Sequence, residues 1–163
     1  MMHTISKFLV PVFVTFMLTA CGTARGNDVS LVKTGYLSFD QSVTVGNALD
    51  KYKYFKTTEW KSFITKKEQH VVEFNGIVDM DKLNYSNANF IAGSEKSWSP
   101  YVAEESVLIQ FSINNDKTFN LSYMEINGKN IKGEKFKIPI TPEYSSRDTF
   151  VQSIYQDKLC CGL

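Results

Sequence analysis

Cysteine is scarce in this chain: there are three among 163 residues, one at position 21 and an adjacent pair at 160 and 161. No other thiol is available, so no disulfide can cross the body of a fold. Histidine is scarcer still, with His3 near the start and His70 alone beyond it. A single His without neighbouring thiols cannot build a typical zinc site, and no metal is assigned. Gly-x-Ser-x-Gly, Walker-type and Gly-x-Gly-x-x-Gly motifs are all missing. No catalytic residue and no cofactor follow, and the chain reads as a non-enzyme. Net charge is also nearly absent, at +1. Lys7 is the one charged residue of the first 20, so the remainder is formally neutral and has no electrostatic footprint for nucleic acid. Finally, no apolar run reaches the roughly 20 residues of a transmembrane helix.

What is present starts with an address. Lys7 precedes Phe8 to Leu18, which is almost wholly apolar and interrupted by Pro11. That is the layout of a secretory signal. It ends in Leu18-Thr19-Ala20-Cys21, a Leu-x-small-Cys stretch that resembles a bacterial lipobox. The resemblance implies cleavage before Cys21, acylation of its thiol (palmitate among the chains) and attachment to a membrane. An ordinary signal with a chance Cys would instead give a soluble product. Gly22 follows Cys21 where retained Gram-negative lipoproteins have Asp, which by the same resemblance implies the outer membrane, facing the periplasm, in a Gram-negative host. Gly22 to Asp28 is small and polar, as expected of a flexible tether. The organisation expected is a signal peptide over 1–20, lipidated Cys and tether over 21–28, one domain over 29–158 and a tail over 159–163.

The domain patterning is α+β. Asp28 to Gly35 reads as a short helix or strand stopped by its glycine. Thr44 or Ser42 can cap a helix in which Val45, Ala48, Leu49 and Tyr52 recur at helical spacing, an N-terminal amphipathic helix over about 44–54. Glu59 to Thr65 is β-prone, Lys66 to Gln69 is a polar turn, and His70 to Met80 alternates, as a strand with one buried face does. Gly76 within it marks a bulge or a close approach. Asp81 to Ala103 is a long Asn- and Ser-rich loop. Glu105 to Asn114 and Phe119 to Ile126 form a second hairpin, with a turn expected at Asn127-Gly128. Phe136, Ile138 and Ile140 alternate with Lys135, Lys137 and Pro139, which suits an edge strand. Ser146 to Gln156 closes as a C-terminal helix. The fold expected is an antiparallel meander of four or five strands between these helices.

Several stretches carry a resemblance in this order: Val32-Lys33-Thr34-Gly35-Tyr36-Leu37, Thr44 to Asp50, Glu59-Trp60-Lys61-Ser62-Phe63, Val71 to Gly76, Ile109 to Ile113 and Ile126-Asn127-Gly128. The pattern is similar to an uncharacterised bacterial extracytoplasmic domain of small lipoproteins. That domain also occurs in membrane-anchored proteins with a cytoplasmic zinc ribbon, whose cysteines this chain lacks. The resemblance spans about residues 29–130 and implies location and boundaries, without an activity.

Contact chemistry is what remains. Phe90, Trp98 and Tyr101 in the long loop are the candidate partner-contact residues, since loops carry function on a scaffold. Tyr52, Tyr54, Phe55 and Trp60 are read as packing the first helix onto the sheet. Asp79 and Asp81, with Glu73, could make an acidic patch, ordinarily a solvated strand end. Cys160 and Cys161 could close a vicinal disulfide in an oxidising compartment. Their position near a final Leu imitates a prenylation box without its aliphatic middle. The expected function is non-catalytic binding of another envelope protein from a membrane anchor. The alternative is an inhibitor or immunity-type lipoprotein acting through the 81–103 loop on a lytic or exported enzyme. The sequence leaves the oligomeric state open.

Overall fold

The computed structural model describes residues 26–83, 102–141 and 147–159. Its centre is a five-stranded antiparallel sheet in the order β1 (Phe55–Ile64), β2 (His70–Val78), β3 (Val102–Ile113), β4 (Phe119–Asn130) and β5 (Lys135–Pro139). Strand order follows chain order, so the sheet is a meander and the fold is α+β. Helices α1 (Gly26–Thr34), α2 (Val45–Asp50) and α3 (Arg147–Tyr155) accompany it among the described residues.

The alternation of side chains decides which sheet face the helices cover. Val72, Phe74 and Val78 of β2, Val107, Ile109, Phe111 and Ile113 of β3, and Met124 and Ile126 of β4 are buried together. They meet Val32 of α1, Val45 and Leu49 of α2, and Phe150, Val151 and Ile154 of α3 in one core. α1 packs on β1 and β2, and α2 on α1, β1 and α3.

α2 is shorter than the periodicity suggests. Thr44 caps it as expected, its hydroxyl accepting from the Asn47 amide at 3.3 Å. The helix nevertheless ends at Asp50, because Tyr52 is already in the turn that leads into β1. Tyr52 keeps its inward position: its ring lies 4.9 Å from Phe55, and its hydroxyl donates to the Lys158 carbonyl at 2.7 Å. That bond ties the segment after α3 to the start of β1. Tyr52→Phe, which keeps the ring, is expected to cost about 1 kcal/mol in urea unfolding and to expose the chain after Tyr155 to protease.

The aromatic cluster packs as its inward reading requires. Trp60 lies 4.9 Å from Phe74, and Phe55 lies 5.4 Å from Phe74. Phe55 also explains Gly76, where an added Cβ would sit 2.8 Å from the Phe55 ring. The glycine marks a close approach.

Three expectations are corrected. Asn127 and Gly128 are not a turn: they lie inside β4, paired with Ser106 and Glu105 of β3 and with Lys137 and Phe136 of β5. Gly128 is there because the Phe136 ring lies across it, in the space a Cβ would take. The turn falls later, where the Asn130 side-chain oxygen accepts from the Lys132 and Glu134 amides at 2.9 Å each and Gly133 has φ +85°. Second, the 21–28 segment is not all tether, because Gly26–Asp28 begin α1 and Asp28 is buried. Third, the 81–103 segment is not loop at either end. A helical turn occupies 80–83 with Leu83 fully buried, and Val102 and Ala103 belong to β3.

Candidate functional site

Two regions of the described residues have the chemistry of contact. The first is the sheet face opposite the core. Cross-strand register lines up Lys61 of β1, Glu73 of β2, Gln110 of β3 and Tyr123 of β4 in one row. Glu73 accepts from Lys61 Nζ at 2.8 Å and from Gln110 Nε2 at 2.7 Å. Its hydrogen bond to Glu73 holds the Lys61 ammonium above the usual lysine range. On β4, Glu125 accepts from the Tyr123 hydroxyl at 2.7 Å and faces Lys137 of β5 at 3.4 Å. Burial pushes the Glu125 carboxyl up, but the bonds from Tyr123 and Lys137 outweigh it and leave the pKa lowered.

Around these polar rows stand apolar groups that a purely solvated face would not carry. Phe63, Ile77 and Tyr123 are 38%, 46% and 37% exposed, with Leu108 half-buried between them. A sheet face with exposed aromatic and aliphatic groups beside oriented charges has the composition of an interface, where apolar anchors sit within a polar rim.

The second region lies at one end of the sheet. The turn joining β1 to β2 and the turn joining β3 to β4 stand side by side there, with β2 beginning against the end of β3. His70, the first residue of β2, has its Nδ1 2.8 Å from Asp28 Oδ2 in the first turn of α1. This side-chain contact docks α1 onto the sheet. Gln69 spans the two turns by donating to the Ile113 carbonyl at 2.6 Å. Between the turns is a cleft of about 440 Å³ lined by Lys67, Glu68, Gln69, His70, Ile113, Asn114, Asn115 and Lys117.

The sequence-derived candidates fall differently. Phe90, Trp98 and Tyr101 lie outside the described residues, as do Cys21, Cys160 and Cys161. Glu73 and Asp79 do not form one patch: Glu73 is bonded within the sheet, and Asp79 pairs with Lys82 at 3.2 Å. A bond from the Lys82 backbone amide holds the Asp79 carboxyl below the usual range. Among the described residues no cluster of three or more His, Cys, Asp or Glu could hold a metal ion. His70 has its carboxylate partner, and among the described residues no Ser, Thr or Cys hydroxyl or thiol is bonded to its ring. Among the described residues no helix is long and apolar enough to cross a membrane. No protein-family model, curated protein or solved structure matches this chain.

Proposed function

We propose that this protein is a lipid-anchored, extracytoplasmic module that binds another envelope protein without catalysis. The observation that carries the contact is the open sheet face, where Phe63, Ile77 and Tyr123 stand exposed around the Lys61–Glu73–Gln110 row. The anchor rests on the lipobox-like Leu18-Thr19-Ala20-Cys21 and its likeness to small extracytoplasmic lipoprotein domains. In this reading α2 serves as the N-terminal amphipathic helix, burying Val45, Ala48 and Leu49 so that the opposite sheet face stays free for a partner. Aromatic and aliphatic anchors dominate interface energetics while their rim adds orientation.

The test of the contact is a photo-crosslinking amino acid placed at Phe63, Ile77 or Tyr123 of the full chain in intact cells, with Trp98 as the comparison position. A discrete crosslinked protein from the sheet-face positions supports the reading. Crosslinks from Trp98 alone move the contact to the 81–103 segment and favour an inhibitor. No crosslink at any position ends the proposal. The anchor has its own measurement. Cys21→Ser is expected to abolish acylation and shift the protein from the membrane fraction to the soluble one, and globomycin is expected to accumulate the precursor. Unchanged processing under both would remove the lipid from the account.

A further inference from the structure

The cleft between the two hairpin turns has an assembly of donors that the sheet-face contact does not use. Lys67 lies in the first turn and Lys117 in the second, and neither forms an ion pair among the described residues. Both line the cleft, together with Asn115 and His70. The turns are held firmly. Thr65 and Gln69 close the first through backbone bonds, with Glu68 at φ 60°. Asn114 and Thr118 close the second, with Lys117 at φ 68°.

The nearby carboxylates are mostly committed elsewhere. Asp116 accepts from the Thr118 hydroxyl at 2.6 Å and the Thr118 amide at 3.0 Å, so it is turned into its own turn, and it does not line the cleft. These bonds, the hydroxyl's first, hold its carboxyl below the usual range. Asp28 is bonded to His70 Nδ1. That fixes the imidazole orientation and leaves Nε2 as the second ring nitrogen, a further donor when the ring is protonated. Among the described residues Glu68 is the one carboxylate on the lining.

We propose that this cleft is a phosphate-binding site, with Lys67 and Lys117 as its charged donors and Asn115 as a neutral one. Lysines from two separate turns border the one cleft, and ammonium groups bind phosphate as point charges. The volume suits a phosphate and a small group esterified to it. The phosphate could come from a lipid headgroup or from a soluble compound. The site stands independently of the sheet-face contact and of lipidation at Cys21.

The experiment uses the full chain, labelled with ¹⁵N and purified in phosphate-free maltoside detergent. One arm titrates inorganic phosphate, and the other adds phosphatidylglycerol to the micelles. Sodium chloride at matched ionic strength is the control. Saturable amide shifts confined to residues 65–70 and 113–118 are expected in at least one arm, and the arm identifies the source. Lys67→Gln with Lys117→Gln should weaken binding by about tenfold or more, on the order of the loss of two charge-assisted contacts. Glu68→Gln should tighten it about threefold by removing a like charge. All three residues are exposed turn positions, so an unchanged amide spectrum elsewhere confirms that the variants fold. The proposal is overturned if neither arm saturates, if chloride reproduces the shifts, or if the double lysine variant binds as the parent does.

Discussion

Phe74→Ala is expected to cost about 3–5 kcal/mol, the largest loss from any single side chain considered. Phe74 is fully buried on the second strand of the sheet, with Trp60 at 4.9 Å and Phe55 at 5.4 Å. Strands β1 and β3 flank it at fixed register. The backbone cannot close the cavity, and the two neighbouring rings lose their partner. Urea unfolding followed by tryptophan fluorescence measures the change directly, since Trp60 sits against the altered position. With a slope of ~1–3 kcal/mol per molar urea, the midpoint should fall by about 2 M. Phe63→Ala supplies the contrast. Phe63 is on β1, points to the open face and is 38% exposed, so its loss should cost under about 1 kcal/mol. A larger loss at Phe63 than at Phe74 would show that the assignment of sheet faces is inverted.

That contrast also shows how far the residues announce the structure. The period-two series Val72, Phe74, Val78 and Val107, Ile109, Phe111, Ile113 identifies the core face, because a one-residue slip would turn every one of these side chains to the other side. The open face is legible only as breaks in that alternation. Val71 beside Val72, Ile77 beside Val78, Phe63 beside Ile64 and Leu108 between Val107 and Ile109 put apolar groups where a solvated face would have polar ones. The aromatic residues Trp98 and Tyr101 of the Asn- and Ser-rich 81–103 stretch draw the eye away from this signal. The Asn127-Gly128 pair misleads for a different reason. As a dipeptide it favours a tight turn, but a neighbouring strand contributes Phe136 to fill the space the glycine leaves, and tertiary packing overrides the local preference. The cleft at the turn end is least legible. Lys67 and Lys117 are far apart in sequence, and only the register of β2 on β3 brings their turns together. The docking of Asp28 on His70 is hidden in the same way, because nothing local distinguishes Asp28 from a tether residue.

Removal of the Asp50 side chain is expected to have the next largest effect and to depend on pH. Asp50 is the last residue of α2. Its carboxylate receives Lys33 Nζ of α1 at 2.6 Å, Trp60 Nε1 of β1 at 2.7 Å and Thr58 Oγ1 at 3.2 Å. Lys33 in turn lies 5.3 Å from the centre of the Trp60 ring. One carboxylate thus joins both N-terminal helices to the first strand. Partial burial pushes its pKa up, but the hydrogen bonds from Lys33 and Trp60 together outweigh this and hold it below the usual carboxylate range. A carboxyl with a depressed folded-state pKa contributes stability above its unfolded pKa and loses it as pH falls through the folded value. Asp50→Ala should therefore lower stability by about 2 kcal/mol at pH 7, a figure that already allows for solvent screening of a carboxylate that is only partly buried. The gap should narrow as pH falls from about 5 towards 2. Asp50→Asn keeps an oxygen for Trp60 and Thr58 but loses the charge that faces Lys33. It should fall between the parent and Asp50→Ala at pH 7 and converge with the parent in acid. Urea unfolding at pH 7 and at pH 3 measures both differences. A gap that persists unchanged in acid would mean that the carboxylate acts through its shape, and that the charge on Lys33 is satisfied by solvent.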